Sequence, residues 1–226
     1  MKEALFFVLT ALGGYLLGSI DTGIIVSRML MRDDVRNHGS GGAGMTNMLR
    51  TFGKKAAALT ALGDVCKGFV AVLLGGWLFS QFTTMPMDWG KYLAFVGAVI
   101  GHWKPIFFGF KGGKGVLVSA GGLLALHAGL VPLLAAVFLT FFLTTRMVSA
   151  GSIAMGLAFP VVSGLYGHFV LHMESQELWL LVAVTALIGG IVLYLHRANI
   201  RRILNGTEYR FTKKEPKNNG EKQENP

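Results

Sequence analysis

The residues best equipped for chemistry lie in two glycine-rich runs. The first reads His38-Gly39-Ser40-Gly41-Gly42-Ala43-Gly44-Met45-Thr46-Asn47 and is followed by Arg50, Lys54 and Lys55. Glycines in this density let backbone N–H groups converge on an anion, and a helix starting after the run adds a partial positive charge. A plain interhelical linker would also be glycine-rich, but it has no use for Ser40, Thr46, Asn47 and Arg50 together. The second run, Gly109-Phe110-Lys111-Gly112-Gly113-Lys114-Gly115, has the pattern of an anion-binding nest with a lysine in it, opening a helix. It lacks the G-x-x-x-x-G-K-[ST] spacing after a strand that nucleotide hydrolysis requires. Two such cradles suit two phosphate groups, or one phosphate held from both sides.

Further polar residues accompany them. Asp64 and Lys67 stand three apart in an apolar stretch, so one helix face carries both charges and they can partly neutralise each other. Near the end of the apolar region comes His196-Arg197-Ala198-Asn199-Ile200-Arg201-Arg202, in which His196 and Asn199 share a face. Membrane anchoring explains its arginines but not that pair. His102 precedes the second cradle, either as an inward donor or as an interfacial residue; His127, His168 and His172 read as structural. The position that an H-x-x-x-x-D acyltransferase motif would fill after each histidine holds Ala43, Phe107, Pro132, Met173, Glu177 and Arg201, so that chemistry is absent. There is no H-E-x-x-H motif or dense ligand cluster, so no metal or cofactor is expected. The single cysteine, Cys66, permits no internal disulfide.

The elements that must position these groups are membrane helices. Hydrophobic residues make up 52% of the 226 and charged residues only 15%, and the mean hydropathy is +0.52; a soluble domain of this length needs more polar surface. Candidate spans are 4–27, 56–80, 92–108, 114–127, 129–144, 149–170 and 178–195. One kinked helix over 114–144 would reduce them to six, but the break at Gly129 and Pro132 favours two. The N-terminal apolar stretch runs on without an A-x-A-like cleavage pattern, so it reads as a span rather than a signal peptide. With seven spans and the N-terminus outside, all of the 21 lysines and arginines except Lys2, Lys67 and Lys91 fall on the inner side. That asymmetry predicts N-out, C-in topology, and the net charge of +9 reads as inner-face anchoring rather than nucleic-acid binding. The fold class expected is an all-α integral membrane protein with one domain over 1–212. A Lys/Glu/Asn-rich, disordered cytoplasmic tail is expected over 213–226.

Taken in order, several runs resemble the PlsY family, membrane glycerol-3-phosphate acyltransferases that use acyl phosphate. They are Tyr15-Leu16-Leu17-Gly18-Ser19-Ile20, Gly39-Ser40-Gly41 with Thr46-Asn47, Arg50 and Gly53, and Asp64 with Lys67-Gly68. Gly101-His102 with Pro105 and Phe110 through Gly115 follows, then His196-Arg197 with Asn199-Ile200 and Arg202. The similarity covers nearly the whole chain apart from the tail. Four positions depart from the family pattern: Asp21 stands for proline, Gly42 for asparagine, Met45 for alanine and Lys104 for an aromatic residue. Asp21 and Lys104 are candidates for a compensating ion pair.

The resemblance implies attack of the 1-hydroxyl of glycerol 3-phosphate on the carbonyl of a fatty acyl phosphate. The products are lysophosphatidic acid and inorganic phosphate, in the first acylation of phospholipid synthesis at a bacterial inner (cytoplasmic) membrane, with the site facing the cytoplasm. It assigns Lys114, with the Gly112, Gly113 and Gly115 backbone, to phosphate binding. Ser40, Arg50, His196 and Asn199 then hold glycerol 3-phosphate; Gly39, Gly41, Thr46 and Asn47 shape the first cradle; and Ser149 and Ser152 are outer members of the site. The proton acceptor stays open between a neutral His196 and a phosphate oxygen. The competing classes are a transporter for a phosphorylated molecule, opposed by the gathering of charged motifs on one face, and a lipid-binding scaffold that makes no product.

Overall fold

A computed structural model describes residues 2–211, all of whose regular elements are helical; the tail expected over 213–226 lies outside them. In chain order the helices are α1 (Lys2–Gly18), α2 (Thr22–Met31), α3 (Met45–Phe82), α4 (Met87–Trp103), α5 (Val116–His127), α6 (Leu130–Thr145), α7 (Val148–Phe169), α8 (Ser175–Leu195) and α9 (Arg197–Leu204).

Each expected span meets a helix, with two differences that matter for the site. The first apolar stretch is broken: Asp21 interrupts it and caps α2 by accepting the Ile24 N–H at 3.2 Å. The second is longer than expected, because α3 begins at Met45 directly after the first glycine run and bends at Gly53. There φ is 83° and ψ −172°, a conformation open essentially to glycine alone. The short leg before the bend carries Asn47 and Arg50, and the long leg carries Asp64 and Lys67. As the break expected at Gly129 implies, α5 and α6 are separate helices and the chain turns back at Ala128–Gly129. Val116 and Phe138 line the same cavity, whereas one straight helix would hold them about 33 Å apart.

The helices close on one another through small residues. Side chains in place of Gly14 and Gly18 of α1 would strike the Ala94 and Ala98 carbonyls of α4 at 2.4 and 2.1 Å. Reciprocally, side chains at Gly97 and Gly101 of α4 would strike the Ala11 and Tyr15 carbonyls at 2.5 and 2.1 Å. Two small-xxx-small stripes thus face each other at backbone contact, as in helix pairs that associate without a hydrophobic driving force. A buried core of Val72, Phe95, Val99, Val118, Leu130, Phe159 and Ile188 joins α3 through α8. Large apolar side chains such as Leu73, Trp77, Leu157, Val161 and Leu187 point outward. Among the described residues, four stretches are long and apolar enough to cross a membrane: Glu3–Met31, α3, α7 and α8.

Candidate active site

The first glycine run is folded around Asn47. Its amide Nδ2 donates to the carbonyls of Val35, His38 and Gly42 at 2.9 to 3.0 Å, and its Oδ1 accepts the Ser40 N–H at 3.1 Å. Gly39 has a φ of +55°, and a Cβ there would meet Asn47 Oδ1 at 2.2 Å, so the loop cannot wrap this amide without glycine. Arg36 then ties the loop to the second glycine run. It is held by Asp34 at 2.8 Å, and its Nη1 donates to the Phe108 and Lys111 carbonyls at 2.7 and 3.1 Å. These bonds leave the Ser40 side chain exposed at the mouth of a cavity.

The second run differs from a simple nest. Gly112 N–H donates to the Trp103 carbonyl at 3.3 Å and Gly113 N–H to the His102 carbonyl at 3.0 Å. Both donors are therefore committed to closing the end of α4. The N–H groups left facing forward belong to Lys114, Gly115 and the first turn of α5, where a helix N-terminus has none of its own acceptors. Lys114 itself stands just ahead of α5. Its ammonium donates to Asn199 Oδ1, and burial, reinforced by Arg202, pushes its pKa down to about 8.

The third component arrives from the far end of the chain. His196 marks the junction of α8 and α9, and its Nδ1 lies 2.8 Å from the Val192 carbonyl. Nδ1 must therefore carry the proton, which leaves the Nε2 lone pair free for the cavity. Burial lowers its pKa to about 4, with the Lys114 charge acting in the same direction. One turn on, Asn199 donates to Glu208 Oε1 at 2.7 Å, and Glu208 also accepts from Ser149 Oγ and Arg202 Nε, each at 2.7 Å. Burial works to raise the Glu208 pKa, but these three hydrogen bonds overcome it and hold the carboxylate below its ordinary value. Arg50 stacks on Tyr209, 3.9 Å from the ring centroid, and makes no ion pair among the described residues.

One cavity of about 180 Å³ gathers these groups. Of the expected residues, Ser40, Thr46, Asn47, Arg50, Gly113, Lys114, Gly115, Ser149, Ser152, His196 and Asn199 line it, while Gly39, Gly41 and Gly112 stand behind it as loop framework. Asp64 and His102 also reach it, and Val116, Leu117, Phe138 and Val148 form an apolar wall. Asp21 does not pair with Lys104, which is exposed and lies over Trp103; Asp21 is buried, 3.9 Å from His102. Glu208 escaped the sequence reading. It sits beyond the last helix in a polar stretch, and only its spacing after Asn199 and Arg202 could have signalled it.

A cavity that brings Arg50, Lys114 and His196 together with an apolar wall where helix ends meet belongs to a helical protein whose long apolar helices can cross a membrane. Comparison with known proteins gives the particular family. A model described as glycerol-3-phosphate acyltransferase matches residues 8–206. The chain is 40% identical to the glycerol-3-phosphate acyltransferase of Syntrophomonas wolfei over 95% of its length and all of that protein's. It is 41% identical to the one from Bacillus subtilis, over 86% of this chain and 92% of that one. Among solved structures it resembles PlsY, an integral membrane glycerol 3-phosphate acyltransferase, in its glycerol 3-phosphate form. The TM-score is 0.75 at 34% identity, covering 91% of this chain and 96% of that one. The chain belongs to the glycerol-3-phosphate acyltransferase family, and its fold is that of an all-α integral membrane protein.

Proposed function

We propose that this protein acylates the 1-hydroxyl of glycerol 3-phosphate from a fatty acyl phosphate, releasing lysophosphatidic acid and inorganic phosphate. The observation that carries the reading is the union of Arg50, Lys114 and the free Nε2 of His196 in one cavity whose opposite wall is apolar. Two phosphate groups need cations, an alcohol needs an acceptor, and an acyl chain needs Val116, Leu117, Phe138 and Val148. The family relatives bear the name of the glycerol 3-phosphate half of this reaction.

An acyl phosphate is a mixed anhydride, so no covalent enzyme intermediate is required, and positioning with charge stabilisation can carry the rate. The hydroxyl oxygen forms a bond to the carbonyl carbon, the carbon–oxygen bond to phosphate breaks, and Lys114 with the α5 N-terminus stabilises the departing dianion. His196 Nε2 accepts the hydroxyl hydrogen bond and aims the oxygen. With its pKa near 4 it is a weaker proton acceptor than a phosphate, whose second pKa is about 6; the proton therefore ends on phosphate.

The seven-helix arrangement with the N-terminus outside and the C-terminus inside belongs to the same proposal, as does placement in a bacterial inner membrane with the site facing the cytoplasm. The cavity is built from the C-terminal ends of α4 and α8 and the N-terminal ends of α3, α5 and α7, the ends at which the cations concentrate. Purified protein incubated with labelled glycerol 3-phosphate and, in parallel, acyl phosphate, acyl-CoA or acyl carrier protein tests the reading. Product with acyl phosphate alone is expected. Product with another donor only, or with none, sinks it.

A further inference from the structure

Behind the Gly113–Gly115 turn, four ionisable side chains are packed out of solvent: Asp21, Asp64, Lys67 and His102 are 0, 1, 7 and 3% exposed. Burying an ion pair such as Asp64–Lys67 rarely stabilises more than apolar packing of the same shape, so the group calls for another reason to exist. Its geometry supplies one. The Lys67 ammonium pairs with Asp64 Oδ1 at 2.8 Å and donates to the Ile20 carbonyl at 3.0 Å and to His102 Nδ1 at 2.8 Å. An ammonium has no lone pair, so at His102 Nδ1 it can only donate. The carboxylates of Asp64 and Asp21 stand 3.7 and 3.9 Å from His102 Nδ1, beyond hydrogen-bond reach. Nδ1 is therefore an acceptor, and the imidazole proton sits on Nε2.

That nitrogen is aimed at the second cradle. A Cβ at Gly113 would fall 2.2 Å from Nε2, so the ring edge occupies the space that a side chain there would fill. His102 lines the same cavity as Lys114 and His196, and the hydrogen bond its ring makes among the described residues is at Nδ1, to Lys67.

We propose that His102, fixed as its Nε2–H tautomer by Lys67, is a neutral hydrogen-bond donor to the phosphate seated on the Gly113–Gly115 turn, with Lys67 and Asp64 as positioning residues. It replaces one of the donors lost when Gly112 and Gly113 turn their N–H groups to α4. The inference rests on the acyltransferase reading only for the identity of the phosphate, which belongs to either reactant.

The test is nitrogen NMR of histidine-labelled protein in detergent, with the His102 signals assigned by their loss in His102→Gln. A protonated Nε2 and a bare Nδ1 are expected, with Nε2 shifting on titration with glycerol 3-phosphate or inorganic phosphate, and Lys67→Met is expected to abolish the tautomer preference. An Nδ1–H tautomer, or a spectrum unmoved by either ligand at saturation, overturns the proposal. Kinetics separate the two sources of phosphate. His102→Phe is expected to raise KM about tenfold for whichever reactant the donor holds, while His102→Gln, which keeps an amide N–H, stays close to the parent. An unchanged KM for both reactants also overturns it. Phosphate-dependent shifts in a protein inactive with every acyl donor would instead retain this site and remove the acyltransferase reading.

Discussion

At the scale of single residues, the site works by holding side chains in one protonation state and one direction. Lys114 is the group whose charge is nearest to changing at working pH, because burial has brought its pKa to about 8. The pH dependence of kcat/KM reports the free enzyme, so kcat/KM for glycerol 3-phosphate should fall as pH rises through about 8, where the cation is lost. His196 titrates near 4, so no acid limb from it should appear near 6.5. An acid limb at pH 6 to 7 that disappears in His196→Gln would show that His196 takes the proton. His196→Ala should lower kcat by about 10²-fold, the scale for losing the alignment of a reacting atom; near-normal turnover would remove it from the site. Glu208 acts one step back. Glu208→Ala strips acceptors from Ser149, Asn199 and Arg202 at once, leaving the buried donors of Ser149 and Asn199 unpaired at a cost of about 2 to 3 kcal/mol. A lowered melting temperature in detergent together with a fall in kcat is expected. Unchanged melting would mean that water replaces the carboxylate without loss.

At the scale of elements, glycine serves two purposes that look alike in a sequence. The loop glycines and the residues beside them were legible as a candidate site because no linker needs Ser40, Asn47, Arg50 and Lys114 in those places, and the fold brings those four to one cavity. What could not be read was which backbone N–H groups remain free. The commitment of Gly112 and Gly113 to the Trp103 and His102 carbonyls depends on the angle at which α4 ends. The helical glycines were missed for another reason: Gly14, Gly18, Gly97 and Gly101 sit inside apolar runs that already read as spans, and their spacing matters only once α1 and α4 face each other. Glu208 was invisible because its partners come from α7 and α9. The break at Asp21 lay hidden inside a run that hydropathy treats as uniform, and hydropathy gave no sign that the bend at Gly53 joins the helix after the first glycine run to the second span. Two substitutions separate these roles. Gly101→Val would drive a side chain into the Tyr15 carbonyl and part α1 from α4, so the protein should lose thermal stability and fail to accumulate in membranes. Gly53→Ala meets no neighbour within 4 Å, but its φ of +83° strains it by about 1 to 3 kcal/mol. The strain falls on the bend that carries Arg50, so KM for glycerol 3-phosphate should rise even where folding survives. A KM left at the parent value would show that the short leg of α3 can relax independently.

At the scale of the whole molecule, charge and helix length work together. α8 has 21 residues, about 32 Å of helix, close to the hydrocarbon thickness of a bilayer of about 30 Å. It leads directly into α9, where Arg197, Arg201 and Arg202 follow one another within a turn and a half. Such a cluster resists translocation, so the end of α8 that holds His196 should stay on the cytoplasmic side, where a phosphorylated metabolite such as glycerol 3-phosphate is met without crossing the membrane. The opposite end of α8 begins at Ser175 beside Glu174 and Glu177, in a stretch with no lysine or arginine between Arg146 and Arg197. Cys66 is the chain's one cysteine, so a Cys66→Ser background makes each end addressable through Gln176→Cys and Arg201→Cys, both at exposed positions. A membrane-impermeant maleimide should label Gln176→Cys in cells with a permeabilised outer envelope and an intact inner membrane. Arg201→Cys should be labelled only after that membrane is broken. Labelling of both from the same side would mean that α8 does not span. Reversed labelling would put the basic cavity on the outer face, away from any cytoplasmic pool of phosphorylated substrate, and the proposed reaction would lose its supply.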